Sequence, residues 1–235
     1  MEERHPLRTI GEFLFYLPNK HAGNLLDAHG QYHEIFEERI YDGLAYCSVE
    51  KEDVVLDVGA NIGLFAFYCL KVKKAKKVIC LEPEPDCCQA LKKNARLHDL
   101  EKNIYIIQKG AWSSSGRLKF HVFHEHKWGS KIVSSSSGFH EGDLLIEVTA
   151  IDTVVDNLKL PVVNFAKMDI EGAEYEALKG LQKTITRFRP KMAVCTYHHD
   201  NDKERIVKAV ERMDKTYKLQ HYTGNNPMVT VARFY

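Results

Sequence analysis

The stretch VVLDVGANIGLFAFYCL, residues 54–70, constrains the fold more than any other part of the chain. Apolar residues run into Asp57, glycines at 59 and 63 flank Ala60-Asn61-Ile62, and a second apolar run follows. A buried strand, a tight turn and a helix fit this order, the opening unit of an α/β sheet. Strand and helix patterns then alternate. KVICLEP (77–83), IYIIQ (104–108), FAKMDI (165–170) and KMAVCTY (191–197) read as strands, and residues 62–72, 86–99, 173–187 and 201–214 as helices. Such alternation implies βαβ units and a mostly parallel sheet. The closing YKLQHY and MVTVARFY, joined by TGNNP, predict an antiparallel hairpin added to that sheet.

Two segments fall outside this rhythm. Residues 1–50 read as an N-terminal covering segment on a main domain of 51–235. In it Ile35, Phe36, Ile40, Leu44 and Ala45 recur at near-helical spacing. Between 113 and 150, RLKFHVFH and DLLIEVTAI alternate like strands around SSSSGFHEG. This predicts a β-rich insertion and not a second domain.

Composition narrows the class of partner. With 33 Lys and Arg against 32 Asp and Glu, net charge is +1, so nothing calls for nucleic acid or an anionic membrane. No apolar run approaches the roughly 20 residues of a spanning helix, and the start, MEERHPLRTIGEF, lacks the apolar core of a signal peptide. The six cysteines (47, 69, 80, 87, 88 and 195) show no framework spacing and read as buried thiols of a reducing, cytoplasmic compartment. KVKKAKK, residues 71–77, reads as a solvated helix end.

Asp57 decides which cofactor suits the turn. In an open α/β sheet ligands bind outside the carboxyl ends of the strands, where strand order reverses. Dinucleotide enzymes place G-x-G-x-x-G there, whereas Gly59-Ala60-Asn61-Ile62-Gly63 lacks the middle glycine. A carboxylate at that mouth would also repel a pyrophosphate, by about 4 kcal/mol per charge pair at about 4 Å and an effective dielectric near 20. The same charge attracts the α-ammonium and sulfonium of S-adenosylmethionine, which carries no phosphate. Its carboxylate would rest near the helix N-terminus, with Asn61 as N-cap. Glu82 ends the second strand, 23 positions after Gly59, placed to accept hydrogen bonds from ribose hydroxyls. NAD would use it equally well, and the competing role is an acid at the helix start before Pro83–Asp86.

KMDIEGAEYEALKG, residues 167–180, carries the acids that face the chemistry. Asp169 closes an apolar strand, where a carboxylate is costly without a task. Glu171, two positions on, would share its face if the strand continued, and both would then lie beside the transferred group or its acceptor. Glu174 reads as an acid complementing a helix N-terminus. In CTYHHD, His198, ahead of His199, is a candidate base because imidazole titrates near neutrality. In HVFHEH, His124 and His126 share a strand face while His121 points away, so an exposed polar strand is expected and no metal centre.

DVGANIG, LEPEPDCCQALKKNARLH, KGAWSSSGRLKF, TAIDTVVDN, KMDIEGAEYEALKG and RPKMAVCTYH follow one another in that order. Over roughly residues 50–200 the pattern resembles the FkbM-type family of class I S-adenosylmethionine-dependent methyltransferases. The resemblance implies a Rossmann-like class I methyltransferase fold with a seven-stranded sheet, and methyl transfer to a small-molecule or sugar-like hydroxyl. By position, Asp57, Gly59, Ala60, Asn61 and Gly63 then belong to the cofactor loop and Glu82 to the ribose. Gly110, Ala111 and Trp112 sit where such enzymes contact adenine, and Asp169 and Glu171 form the central acidic segment. Amine-directed nucleic-acid enzymes carry an N-P-P-Y type segment where this chain reads Asp-Ile-Glu-Gly, which favours oxygen. Residues 1–50 and 120–145 depart from the pattern, and acceptor choice would reside there. The rivals are an NAD-dependent oxidoreductase and a non-catalytic metabolite binder of the same fold.

Overall fold

The computed structural model describes residues 5–18, 25–43, 47–122, 131–132 and 139–220, and the backbone of 221–223 and 227–234. The chain begins with a hairpin, β1 (Leu7–Ile10) and β2 (Phe13–Tyr16), and a helix, α1 (Leu25–Tyr32), that widens over His33–Glu37. The βαβ rhythm follows: β3 (Val54–Val58), α2 (Leu64–Phe67, extended by a wider turn to Val72), β4 (Lys77–Leu81), α3 (Pro85–Leu97) and β5 (Ile104–Ile107). The insertion holds β6 (Gly110–Ala111), β7 (Gly116–His121), β8 (Lys131–Ile132) and β9 (Asp143–Thr149). Next come α4 (Ile151–Asn157), β10 (Phe165–Met168), α5 (Glu174–Lys179), α6 (Gln182–Phe188) and β11 (Lys191–Cys195). Helix α7 (Asp202–Met213) and the strands β12 (Tyr217–Thr223) and β13 (Pro227–Phe234) close the chain.

The main sheet has seven strands in the order β12-β13-β11-β10-β3-β4-β5. Its continuous parallel run is five strands, β11 to β5, and β13 enters antiparallel to both β11 and β12. Strands apolar on both faces require cover on both sides, and each face has its own core. Val55, Val78, Cys80, Phe165 and Ala193 pack with α2, α3 and the N-terminal segment. Val54, Leu56, Val58, Ile79, Ala166, Met168 and Val194 pack with α4 to α7. The period of two therefore sends Asp57 and Lys167 to the first face, and the parallel register sets them side by side. The insertion forms a separate sheet, β6-β9-β7-β8. All six cysteines are buried. Among the described residues no helix is long and apolar enough to cross a membrane.

Two expectations are corrected and one element was not foreseen. The covering helix lies earlier than Ile35–Ala45: it ends near Glu37, Arg39 turns to φ +56°, and Ile40 lies in the turn that follows. Leu44 and Ala45 lie outside the described residues. The hairpin β1–β2 was not foreseen, because each of its strands has four residues and only Ile10 and Phe15 are buried in it. The helix expected over 173–187 is two helices, since the Asp152 carboxylate accepts the backbone N–H groups of Lys183 and Thr184 and starts α6 afresh.

Asn94 on α3 holds the N-terminal hairpin to the sheet. Its Oδ1 accepts the Tyr16 N–H at 2.6 Å, and its Nδ2 donates to the carbonyls of Tyr16 (3.1 Å) and Ile62 (2.9 Å), all from a position 3% exposed. Asn94→Ala leaves these backbone groups without their partner, at about 1–3 kcal/mol for a buried unsatisfied group. Urea unfolding should show a loss of at least about 2 kcal/mol. A loss within error would mean that the hairpin is anchored elsewhere.

Candidate active site

The chain runs from β3 outward to β4 and β5, then returns to β10 on the opposite side of β3. Strand order reverses between β3 and β10, so a crevice opens at their carboxyl ends. A cavity lies there. Gly59, Ala60 and Asn61 line it after β3, Glu82 after β4, Gly110 and Ala111 after β5, and Asp169, Ile170 and Glu171 after β10. Tyr41, Ile35 and Glu34 of the N-terminal segment and Phe120 and Ile132 of the insertion complete the wall.

The floor is ionic. Lys167 Nζ lies 3.3 Å from Asp57 Oδ1 and donates to the Gly59 carbonyl at 2.7 Å. Burial pushes the Asp57 pKa up against the pull of Lys167. Burial also works against the charge on Lys167, but Asp57 and Asp169 outweigh it and raise its pKa. Asp57 is fully buried and absent from the cavity lining. It therefore meets Lys167 under the loop, and the expectation that it faces a ligand's ammonium is corrected.

Gly59 makes the close approach. It sits at φ +80°, and a Cβ there would stand 2.0 Å from the Asp169 carbonyl oxygen. Gly63, assigned to the cofactor by position, also lies off the cavity lining. At φ +91° it begins α2, where a Cβ would meet Leu91 at 2.2 Å. Asn61 is not the N-cap, because Gly63 holds that position and no side chain caps the helix. Asn61 turns to φ +50°, and its buried Oδ1 has no hydrogen-bond partner among the described residues.

Glu82 is fixed from two sides. Oε2 accepts the Asn61 N–H at 2.8 Å and Oε1 the Glu84 N–H at 2.9 Å. Burial outweighs those bonds and pushes its pKa up to about 7. The helix-start role belongs instead to Glu84, whose carboxylate accepts the N–H groups of Asp86 and Cys87. Trp112 departs from its neighbours. It packs on the insertion's core of Phe120, Val122, Ile146 and Val148 and does not line the cavity.

The acidic edge is a cluster. Asp169 Oδ2 accepts the Tyr41 hydroxyl at 2.6 Å, Oδ1 accepts that of Tyr197 at 3.3 Å, and His198 Nε2 stands 3.7 Å away. Burial would raise the Asp169 pKa, but Lys167, Tyr41 and His198 outweigh it and hold the carboxylate below its usual range. Glu171 reaches the cavity by a route other than the expected one. The strand ends at Met168 and Glu171 takes φ +57°, so a turn, and not continued extension, brings it beside Asp169. His198 Nε2 lies 3.2 Å from Glu171 Oε2, and Nδ1 lies 3.2 Å from Glu174 Oε1. Glu174 also accepts the N–H groups of Ile170 and Gly172, which locks the turn.

Burial lowers the His198 pKa, but these carboxylates raise it to about 10. The carboxylates around the ring thus favour the protonated form of His198. His121 pairs with Asp143 at 2.7 Å, and His124 and His126 lie outside the described residues. Tyr41, Lys167 and Tyr197 were not foreseen. Lys167 alone carried a signal, a charge inside the apolar strand FAKM.

A family model described as the methyltransferase FkbM domain matches residues 57–223. Methyltransferase sdnD of Sordaria araneosa is 27% identical over 191 residues, 69% of this chain and 72% of the relative. The hexuronic acid methyltransferase AglP of Haloferax volcanii is 33% identical over 136 residues, 58% of this chain and 53% of its own. Among solved structures, methyltransferase FkbM from Methylobacillus flagellatus KT is similar with a TM-score of 0.62 and 24% identity, over 89% of this chain and 52% of that one. The chain thus spans about half the length of the latter two. At that identity the structural likeness speaks to the fold alone.

His198 supplies a pH test of the cluster. Its folded pKa of about 10 exceeds the unfolded value of about 6.5. Its contacts therefore stabilise the fold fully below about pH 6.5 and lose that effect as pH rises toward about 10. In metal-free protein, nitrogen NMR of the ring should show imidazolium persisting at about pH 8. A midpoint near 6.5 would mean that the carboxylates do not hold the proton.

Proposed function

We propose that this chain, which belongs to the FkbM methyltransferase family, transfers a methyl group from S-adenosylmethionine to a hydroxyl oxygen of an uncharged, sugar-like acceptor. The observation that carries the reading is one cleft in which Gly59, Asn61 and Glu82 face Asp169 across the strand-order reversal. The residues fit the cofactor. Glu82 presents a carboxylate held by two amides to a ribose diol, and the buried Asn61 Oδ1 offers an acceptor for an N–H or O–H donor. Gly110 and Ala111 provide a surface without bulk for the base.

When bound, S-adenosylmethionine would supply an activated methyl group on a sulfonium whose C–S bonding pair would stay on sulfur, and the acceptor hydroxyl that takes the methyl would have to lose its proton. Asp169 is the group for that hydroxyl. Tyr41 and Lys167 keep it ionised and immobile, so it accepts the O–H and sets the in-line approach, and the proton passes through it to solvent. Its depressed pKa makes it a weak base, so orientation is its larger contribution. The N-terminal segment and the insertion form the acceptor's wall. Among the described residues the cavity lining includes Glu82, Glu84, Asp169 and Glu171 beside Lys167. That field disfavours an anionic acceptor, so a hexuronate, named for the Haloferax volcanii relative, suits this chain less well than a neutral polyol.

Turnover tests the reading. With a panel of neutral sugars and uronic acids, and products identified by mass spectrometry, Asp169→Asn should lower turnover about a hundredfold through lost orientation of the acceptor. Adenosylhomocysteine affinity should then change less than in Glu82→Ala, where lost charged hydrogen bonds predict at least about tenfold weakening. No methylated product from any hydroxylated acceptor, with binding intact, would favour a binder of the same fold.

Glu82 also predicts a pH dependence. Ribose hydroxyls donate to the ionised carboxylate, so binding favours its deprotonated form. Affinity for adenosylhomocysteine should be full above about pH 7 and fall by up to about tenfold per unit as pH drops below it. Calorimetry at several pH values reads this, and Glu82→Gln should flatten the profile. A flat wild-type profile removes Glu82 from the cofactor site.

A further inference from the structure

We propose that Asp169, Glu171 and His198 form a divalent-cation site at the edge of the cleft, for a hard to borderline ion of the Mn²⁺ and Mg²⁺ class. Each offers one ligand atom, and these atoms lie within 4.8 Å of one another. Donors in cis positions around a six-coordinate ion with bonds of about 2.1 Å stand about 3.0 Å apart. The imidazole Nε2 is 3.2 Å from Glu171 Oε2 and 3.7 Å from Asp169 Oδ1, close to that spacing before any ion draws the groups together.

A second observation concerns the imidazole itself. The His198 side chain is 9% exposed and both ring nitrogens are buried; each faces a carboxylate oxygen at 3.2 Å, but among the described residues neither makes a well-aligned hydrogen bond. Behind it, Nδ1 faces Glu174 Oε1, and Glu174 is 1% exposed and held by the backbone of the 170–172 turn. A carboxylate behind one ring nitrogen, with the other directed at two further carboxylates, is the arrangement that orients a histidine toward a metal. The alternative grouping of Glu174, His198 and Asp202 is less suited. There Glu174 already accepts two backbone N–H groups and Asp202 accepts the His199 N–H, and neither residue lines the cavity.

Two carboxylates and one imidazole select a cation that accepts oxygen and tolerates nitrogen, which suits Mn²⁺ over Ca²⁺. The ion would also offset the excess of carboxylates along the cleft. His198 must shed its proton to ligate, so binding releases a proton. Asp169 and Glu171 border the cavity, so the ion's remaining positions are open to hydroxyl oxygens of an acceptor, where it would orient them and acidify the reacting one. That last role rests on the methyl-transfer reading, while binding of the ion does not.

Electron paramagnetic resonance of Mn²⁺ titrated into the full chain tests the site. One Mn²⁺ per chain should lose its free-ion signal and be released by EDTA. Glu171→Gln and His198→Ala should each weaken binding at least about tenfold, and Glu174→Gln, which touches no ion, about 10–100-fold. Circular dichroism checks that each variant folds, with Glu171→Gln the mildest change. Adenosylhomocysteine titrated in EDTA reads the cofactor separately. Mn²⁺ bound without adenosylhomocysteine binding supports the ion site and overturns only the methyl-transfer reading. Absence of saturable binding up to about 1 mM Mn²⁺ in folded wild-type protein overturns the site. So does binding that both Glu171→Gln and His198→Ala leave unchanged.

Discussion

The ion pair between Asp57 and Lys167 is the constraint on which the rest of the cleft depends. Parallel register sets the two residues side by side on neighbouring strands, and both are nearly inaccessible to water. Neither charge is tolerable there alone, since removing one partner of a buried pair costs about 3–5 kcal/mol. The pair then organises what lies above it. Lys167 also holds the Gly59 carbonyl, which fixes the turn against Asp169, and it helps keep Asp169 ionised. Tyr41 stacks 5.4 Å from the same ammonium and donates to Asp169. One lysine therefore couples two strands, the turn, the acidic edge and the N-terminal segment.

Much of this was legible in the sequence, for identifiable reasons. Alternating apolar runs and glycine punctuation specify a parallel sheet, because short strands buried on both faces admit few other arrangements. Gly59, Glu82, Asp169 and Glu171 were legible as members of one cleft because α/β topology brings the carboxyl ends of β3, β4 and β10 together whatever the side chains are. Glu171 shows how a right location can rest on a wrong conformation. Its spacing from Asp169 suggested strand periodicity, yet a left-handed turn braced by Glu174 achieves the juxtaposition.

What was not legible depends on contacts distant in sequence. Tyr41 lies 128 positions from the carboxylate it serves, and no local pattern announces that bond. The raised pKa of His198 follows from three carboxylates that only the folded turn gathers around the ring. Asp57 and Trp112 share a different cause. Each sits inside a motif whose neighbours line the cavity, but strand and loop alternation turns its own side chain away from it, while Gly63 serves the left-handed start of α2. A motif marks a location on the backbone, and the direction of each side chain decides who touches a ligand.

The division between the two halves of the cleft follows from the same physics. Under the proposed function, backbone amides, a glycine turn and a carboxylate at strand ends would recognise a cofactor that never varies, so they can be supplied by the sheet itself. An acceptor varies, and the walls that would meet it come from segments outside the repeating sheet: Tyr41 and Glu34 from the N-terminal segment, Phe120 and Ile132 from the insertion. Those segments are anchored by contacts independent of the cofactor loop. Asn94 holds the hairpin, and Asp42 accepts from Tyr68 at 2.8 Å and pairs with Lys73 at 3.0 Å beside Tyr41. Because the anchors are separate from the surfaces they present, residues facing the acceptor can change without disturbing the Asp57–Lys167 floor. The exception is Tyr41, whose hydroxyl reaches Asp169. Through it, any movement of the N-terminal segment reaches Asp169, so under the proposed methyl transfer the binding of the acceptor and the state of Asp169 would be linked by one hydrogen bond.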